Sequence, residues 1–115
     1  MLYRIADLTD WQQALQTSFF VSADLAADGF IHGSEMGQVL ETARRYYAGR
    51  TDMLLLEIDE ATLAQAGVRV AREWVAARGE AFAHVFGPIP LAAITRHFAF
   101  QPGPDGQFSL PDGVE

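Results

Sequence analysis

A histidine, a glycine and a serine follow one another where a short apolar segment leads into a predicted helix. Residues 30–34 read Phe-Ile-His-Gly-Ser. Glycine has no side chain, so Gly33 lets a ligand approach the backbone closely, and the free N–H groups at a helix start can bind an anion. Alternatively, Ser34 caps that helix with its hydroxyl and His32 is a hydrogen-bonded core residue. We select His32, Gly33 and Ser34 as candidate ligand-binding residues.

A carboxylate and a second histidine lie further along the chain. Glu73 and His84 can act as acid and base near neutral pH if folding places Glu73 beside His84 or His32. The alternative for Glu73 is a solvated strand residue. These three residues could also form a two-histidine, one-carboxylate metal site, and Ser34 with His84 and an acid could form a triad, although no nucleophile-elbow motif supports one. We assign Glu73 and His84 as candidate catalytic residues and expect no metal.

Positive charge is concentrated in one stretch of an acidic chain. All 8 basic residues are Arg, against 15 acidic residues, and the formal net charge is −7. Residues 68–98 carry four Arg against two Glu. A local cationic surface on an anionic protein suits a small anionic ligand, whereas the overall charge disfavours binding to a nucleic acid polymer. Scattered surface ion pairs are the alternative explanation of these arginines.

The composition indicates one globular domain and excludes several kinds of site. The chain has 115 residues, half of them hydrophobic, and no Cys, which excludes a disulfide scaffold, a thiol nucleophile and a Cys-ligated metal. The absence of Lys excludes a Schiff-base mechanism. The longest aliphatic run, residues 53–56, is far shorter than the roughly 20 residues that span a bilayer, and Asp7 interrupts any signal-peptide apolar region. We therefore expect a cytoplasmic protein without a membrane partner.

Short strands and short helices follow one another without a regular βαβ repeat, which favours an α+β fold. Thr9 and Gln12 form a predicted capping box for the first helix, and Ser34 is the predicted N-cap of the third. We predict one domain over residues 1–110 and a flexible tail over residues 111–115. The predicted helices cover residues 10–17, 22–29, 34–49 and 59–67, and the predicted strands cover residues 1–5, 19–21, 30–32, 53–58, 68–74, 84–86, 93–100 and 107–110.

Several motifs together resemble the family named domain of unknown function 952. They cover most of residues 1–100 and comprise Asp28–Ser34, Gln38, Thr42–Arg44, Leu54–Asp59, Glu73 and Phe82–Ile89. The resemblance implies a small bacterial protein whose fold is grouped with the ADP-ribosyltransferases, a split and bent sheet flanked by short helices. Two positions depart from the family pattern, because Ala83 stands where members have Pro and Phe86 stands where members have Tyr. A phenolic hydroxyl is therefore absent at that position.

The segment His32-Gly33-Ser34 is also similar to the His-Gly-Ser/Thr element of ADP-ribosyltransferases. In those enzymes the His holds a ribose hydroxyl of NAD, and the Gly backbone pairs with the nicotinamide amide. For this chain, the resemblance implies a cleft that binds NAD or a related nucleotide, with Arg72 or Arg78 on the diphosphate.

The implied chemistry is ADP-ribosyl transfer or NAD glycohydrolysis. Glu73 would stabilise the positive charge that develops on the ribose as nicotinamide leaves, and His32, Ser34 and His84 would complete the cleft. The alternative is a non-catalytic module that keeps the cleft and senses a small anion or nucleotide. A third possibility is an interaction domain in which both histidines are structural.

Overall fold

The computed structural model describes residues 1–114. Most of the predicted elements are confirmed, with shifted ends. The strands are β1 (Leu2–Asp7), β2 (Phe19–Phe20), β3 (Ile31–Gly33), β4 (Met53–Ile58), β5 (Arg69–Val75), β6 (Glu80–Phe86), β7 (Ile89–Pro90) and β8 (Ile94–Ala99). The α-helices are α1 (Leu8–Thr17), α2 (Ala23–Asp28), α3 (Val39–Tyr46) and α4 (Glu60–Gln65), and 3₁₀ turns cover Met36–Gln38 and Leu91–Ala93. No helix within these residues is long and apolar enough to cross a membrane.

Two antiparallel three-stranded sheets meet at a single bridge. One sheet has the order β1-β4-β8, the other has the order β3-β6-β5, and β2 pairs with β7 separately. Tyr3 and Ser34 join the two larger sheets, because each backbone N–H donates to the other's carbonyl oxygen at 2.8 Å. Next to the bridge, the Asp24 side chain accepts hydrogen bonds from both Arg4 and the backbone of His32. These contacts join the two sheets beside the cavity that β1, α2 and β3 line.

Both faces of strand β4 are buried, so this strand contributes to both hydrophobic core clusters. Leu56 and Ile58 belong to one core cluster, which β3, β6, α1 and α4 also line. Met53 and Leu55 belong to a second cluster, which α3 and the C-terminal segment line. A continuous apolar run is the pattern expected of a strand that is covered on both sides. The sequence prediction of a central strand over residues 53–58 is confirmed.

Two predicted helix caps are wrong. Helix α1 begins two residues earlier than predicted, and Asp7 is its N-cap, with a carboxylate oxygen that accepts from the Asp10 N–H at 2.8 Å. Ser34 caps no helix, because the 3₁₀ turn that follows begins at Met36 and α3 begins only at Val39, while the Ser34 backbone pairs with Tyr3. Glu35 takes that role instead and forms a reciprocal capping box with Gln38.

The C-terminal segment also differs from its prediction. Residues 107–110 form no strand, and Phe108 and Leu110 instead pack against the second core cluster. Val114, in the segment predicted to be flexible, is only 7% exposed and belongs to that cluster. Val114 therefore packs against the same cluster as α3, whereas Asp112 and Gly113 are exposed. Glu115 lies outside the described residues.

Candidate functional site

A cavity of about 560 Å³ lies where β1 and β3 separate. Its wall is built from β1, the first turns of α1 and α2, the end of β3, one face of α3, and the β5–β6 hairpin. Cavities of this size are typical of small-molecule sites. His32, Gly33, Ser34 and Arg78 are the sequence-predicted site residues that line it.

One part of the wall combines an arginine with aromatic rings. The guanidinium carbon of Arg78 lies 4.5 Å from the Phe82 ring centre and 5.8 Å from that of Tyr46. Its Nη1 donates to the Thr42 hydroxyl at 2.9 Å, while its Nη2 is buried and makes no hydrogen bond. No carboxylate among residues 1–114 lies within ion-pair distance of Arg78. Arg78 therefore brings to the cavity a positive charge and a donor that the protein does not satisfy.

Asp24 organises another part of the wall. Its Oδ2 accepts from Arg4 Nη1 at 2.8 Å and from the His32 backbone N–H at 2.9 Å, and lies 2.8 Å from His32 Nδ1. Its Oδ1 accepts from the Ser22 hydroxyl. Burial by itself raises the pKa of Asp24, but the hydrogen bonds from His32 and Ser22 and the charge of Arg4 hold it well below its usual range. The ionised Asp24 fixes the orientation of the half-exposed His32 ring at the cavity.

Asp10 lies in the same cavity without a partner. Its backbone N–H donates to Asp7, but its carboxylate has no hydrogen-bond or ion-pair partner among residues 1–114. Burial raises the pKa of Asp10, and the negative charge of Asp7 raises it further. A carboxylate with a raised pKa in a cavity is a recognised indicator of a functional site.

The two predicted catalytic residues form a hydrogen-bonded pair beside the cavity. His84 Nδ1 lies 2.7 Å from Glu73 Oε1, and neither residue lines the cavity. The His84 ring is buried under Phe30, with ring centres 3.8 Å apart and nearly parallel, and its Nε2 has no hydrogen-bond partner. The register of β3 and β6 places His84 directly opposite His32, with ring centres 5.4 Å apart. Folding thus brings the two histidines together, but only His32 reaches the cavity.

Arg72 requires a correction to the predicted site, because the structure places it outside the cavity. Its Nη2 donates to Glu35 at 2.8 Å, and both of its Nη atoms donate to Glu60. These two carboxylates raise the pKa of Arg72, with the hydrogen bond to Glu60 as the main cause. Its charge is neutralised within the protein, so the predicted contact of Arg72 with a diphosphate does not fit this structure.

Gly33 lies in the cavity wall and also packs against Ala83 of β6. A Cβ built on Gly33 would lie 3.4 Å from the Ala83 carbonyl oxygen and 3.6 Å from the Ala83 Cβ. These are ordinary van der Waals distances, so the packing of β3 against β6 does not by itself require a glycine at this position.

His32, His84 and Glu73, which the sequence offered as a two-histidine, one-carboxylate metal site, do not point at a common position. His32 Nδ1 lies against Asp24, whereas His84 Nδ1 lies against Glu73. Within residues 1–114, no group of three or more His, Asp or Glu side chains is arranged to hold a metal ion.

Sequence reasoning missed Arg4, Asp10 and Asp24 as cavity residues. Asp24 follows Ser22 in a predicted helical turn, where an acidic residue is ordinary. Its partners Arg4 and His32 lie 20 and 8 residues away. No local pattern indicates these contacts, because they depend on how the two sheets meet.

Comparison with known proteins identifies the family. The family model described as "Protein of unknown function (DUF952)" matches residues 5–97. The chain belongs to this DUF952 family. No curated protein matches the sequence. The resemblance drawn from the motifs is thereby confirmed.

The DUF952 chain is also similar to solved structures of protein CC0527 from Caulobacter crescentus. The X-ray crystal structure is 29% identical, with a TM-score of 0.85 over 98% of this chain and 96% of that chain. The solution NMR structure is 31% identical, with a TM-score of 0.75 over 99% of this chain and 97% of that chain. These matches extend beyond residue 97 and support one α+β domain, as predicted.

Proposed function

We propose that the cavity binds a small anionic ligand and that Arg78 is its anion-binding residue. The observation that carries this proposal is that Arg78, in the wall of a cavity of about 560 Å³, has no carboxylate partner and keeps one guanidinium nitrogen, Nη2, without an acceptor. Within residues 1–114, every other arginine except Arg69 pairs with a carboxylate. A buried donor without a partner costs free energy, and a phosphate or carboxylate would remove that cost through charge-assisted hydrogen bonds.

The ligand class that fits best is a nucleotide such as NAD or ADP-ribose. Tyr46 and Tyr47 offer aromatic faces to a base or a nicotinamide ring, and Asp24 holds the His32 ring where it can contact a ribose hydroxyl. The split between the two sheets is the feature that supports an ADP-ribosyltransferase type of fold for this domain. Fold alone does not establish activity, so the proposal depends on the cavity.

ADP-ribosyl transfer or NAD glycohydrolysis is the second candidate. The observation that favours it is the position of His32, Gly33 and Ser34 together in the cavity wall. The chemistry also needs a carboxylate near the ribose, and Glu73 is bound to His84 outside the wall. The geometry therefore favours binding without catalysis.

Thermal unfolding tests the binding proposal. We expect ADP-ribose at about 100 times its dissociation constant to add about 2.7 kcal/mol to the free energy of unfolding. Arg78→Met should abolish this stabilisation, because methionine fills similar space without a charge. Arg69→Met is the matched control, since Arg69 also lies over an aromatic ring, 3.8 Å from the Phe86 centre, but outside the cavity. Equal stabilisation of wild type and Arg78→Met would contradict the proposal.

Incubation with NAD separates the two candidates. The binding proposal predicts that free nicotinamide does not accumulate above the rate in buffer. Release by the wild type that is lost in both Glu73→Gln and His32→Ala would instead establish the second candidate.

A further inference from the structure

Asp10 is the cavity carboxylate that the fold does not use. The wall contains two other carboxylates, and both have structural roles, since Asp7 caps α1 and Asp24 binds Arg4, His32 and Ser22. The side chain of Asp10 has no hydrogen-bond or ion-pair partner within the described residues.

The groups that face Asp10 do not compensate its charge. Asp7 and Asp24 repel it, and the one cation that acts on it, Arg4, is held by Asp24. A carboxylate in the first turn of a helix is ordinarily stabilised by the helix dipole, yet the pKa of Asp10 is raised, first by burial and then by Asp7. If Asp10 were only a helix-start residue, it would be a partly buried carboxylate with no compensating partner in the part of the protein that the structure describes.

We propose that Asp10 accepts hydrogen bonds from hydroxyl groups of the ligand whose anionic group binds Arg78. This inference rests on the proposed function and narrows the ligand class to sugar phosphates and nucleotides with free hydroxyls. The two residues lie in one cavity, Asp10 on α1 and Arg78 in the β5–β6 hairpin. They carry opposite charges, so a ligand with an anion at one end and hydroxyl donors at the other satisfies both. Inorganic phosphate would satisfy only Arg78.

Calorimetric titration of the Asp10→Asn variant with two probes tests this assignment. The probes are ADP-ribose, which carries phosphates and hydroxyls, and inorganic phosphate. Loss of the negative charge removes repulsion of any anion, so inorganic phosphate should bind equally well or more tightly. ADP-ribose should bind about tenfold more weakly, because hydroxyl donors lose a charged acceptor. Asp112→Asn, on an exposed residue outside the cavity, should change neither affinity.

Each other outcome is decisive. If Asp10→Asn binds ADP-ribose as tightly as the wild type or more tightly, Asp10 is a bystander and the inference is overturned, while the role of Arg78 stands. Asp10→Ala gives the same comparison with no acceptor left at the position. If the folded wild type binds neither probe, the proposed function fails and this inference fails with it.

Discussion

Replacing Asp24 by alanine is expected to lower the free energy of unfolding by about 3–5 kcal/mol near neutral pH, the range for removing one partner of a buried ion pair. The side chains of Asp24 and Arg4 are only 14% and 13% exposed. The variant leaves the Arg4 charge, the His32 backbone N–H and the Ser22 hydroxyl without their acceptor. Urea denaturation of the two proteins measures the difference.

The stabilisation by Asp24 also has a defined dependence on pH. The pKa of Asp24 is lower in the folded protein than its ordinary value of 3.8. Its stabilising contribution is therefore complete above about pH 4 and is lost as the pH falls below that value. The difference between wild type and Asp24→Ala should shrink accordingly in acid.

Asp28→Ala is the matched control for Asp24→Ala. The Asp28 side chain is 49% exposed and lies 3.9 Å from the other nitrogen of the same His32 ring. We expect a change of less than about 0.5 kcal/mol, as for most exposed ion pairs. An equally small loss in both variants would show that Asp24 does not hold the two sheets together.

Replacing Arg96 by methionine is expected to lower the free energy of unfolding markedly at neutral pH, because it leaves the buried Glu57 carboxylate without a charged partner. Glu57 lies in the central strand and is only 5% exposed. Arg96 forms a bidentate ion pair with Glu57, from Nε to Oε1 at 2.9 Å and from Nη2 to Oε2 at 2.7 Å. The hydroxyl groups of Thr95 and Tyr3 also donate hydrogen bonds to the Glu57 carboxylate. Because the Arg96 side chain is itself 47% exposed, the loss should be smaller than for a fully buried pair but larger than for an exposed one, and urea denaturation measures it.

The effect of Arg96→Met also depends on pH. The hydrogen bond from Arg96 is the main cause that lowers the pKa of Glu57 from 4.5 to about 2. The stabilisation by this pair is complete above about pH 4.5 and is lost as the pH falls towards 2. Denaturation curves from pH 7 to pH 2 should therefore show wild type and Arg96→Met converging. A difference that does not change with pH would contradict this origin.

Arg44→Met is the control for Arg96→Met, because it removes an Arg–Glu pair of similar geometry from the surface. Arg44 binds Glu41 with two hydrogen bonds of 2.7 Å, but its side chain is 69% exposed. We expect little or no loss of stability, as for most exposed pairs. If both variants lose the same small amount of stability, the burial of Glu57 has no energetic consequence.

Because Tyr3 lines the cavity and donates to Glu57, Arg96→Met should also disturb the cavity wall.

The sequence predicts those features of the fold that local patterns determine. The apolar run of β4 is an example, since a strand that is covered on both faces leaves a clear pattern in a few adjacent residues. The family resemblance supplied the expectation of a split sheet, whereas His32 was selected from the His-Gly-Ser segment itself. The caps of α1 and of the Met36–Gln38 turn were missed, because several acidic or hydroxyl residues near each start can serve as caps.

Partners that lie far apart in the sequence could not be predicted. Arg72 and Arg78 are similar residues in one short stretch, yet Arg72 meets Glu35 and Glu60, whereas Arg78 meets only Thr42 and aromatic rings. Likewise, the adjacency of His32 and His84 follows from the register of β3 and β6, which depends on tertiary packing. Only the folded structure therefore shows that the charge of Arg72 is paired with carboxylates and that the charge of Arg78 is not.

Heteronuclear NMR of the 115-residue chain, with ADP-ribose added stepwise, tests most directly whether the cavity binds an anionic ligand. We expect the Arg78 side-chain N–H signals and the His32 ring signals to shift together and to saturate with one dissociation constant. Signals of Arg72, outside the cavity, should stay unchanged. Shifts confined to residues away from the cavity, or no saturable shift of Arg78, would contradict the claim that this cavity binds an anionic ligand.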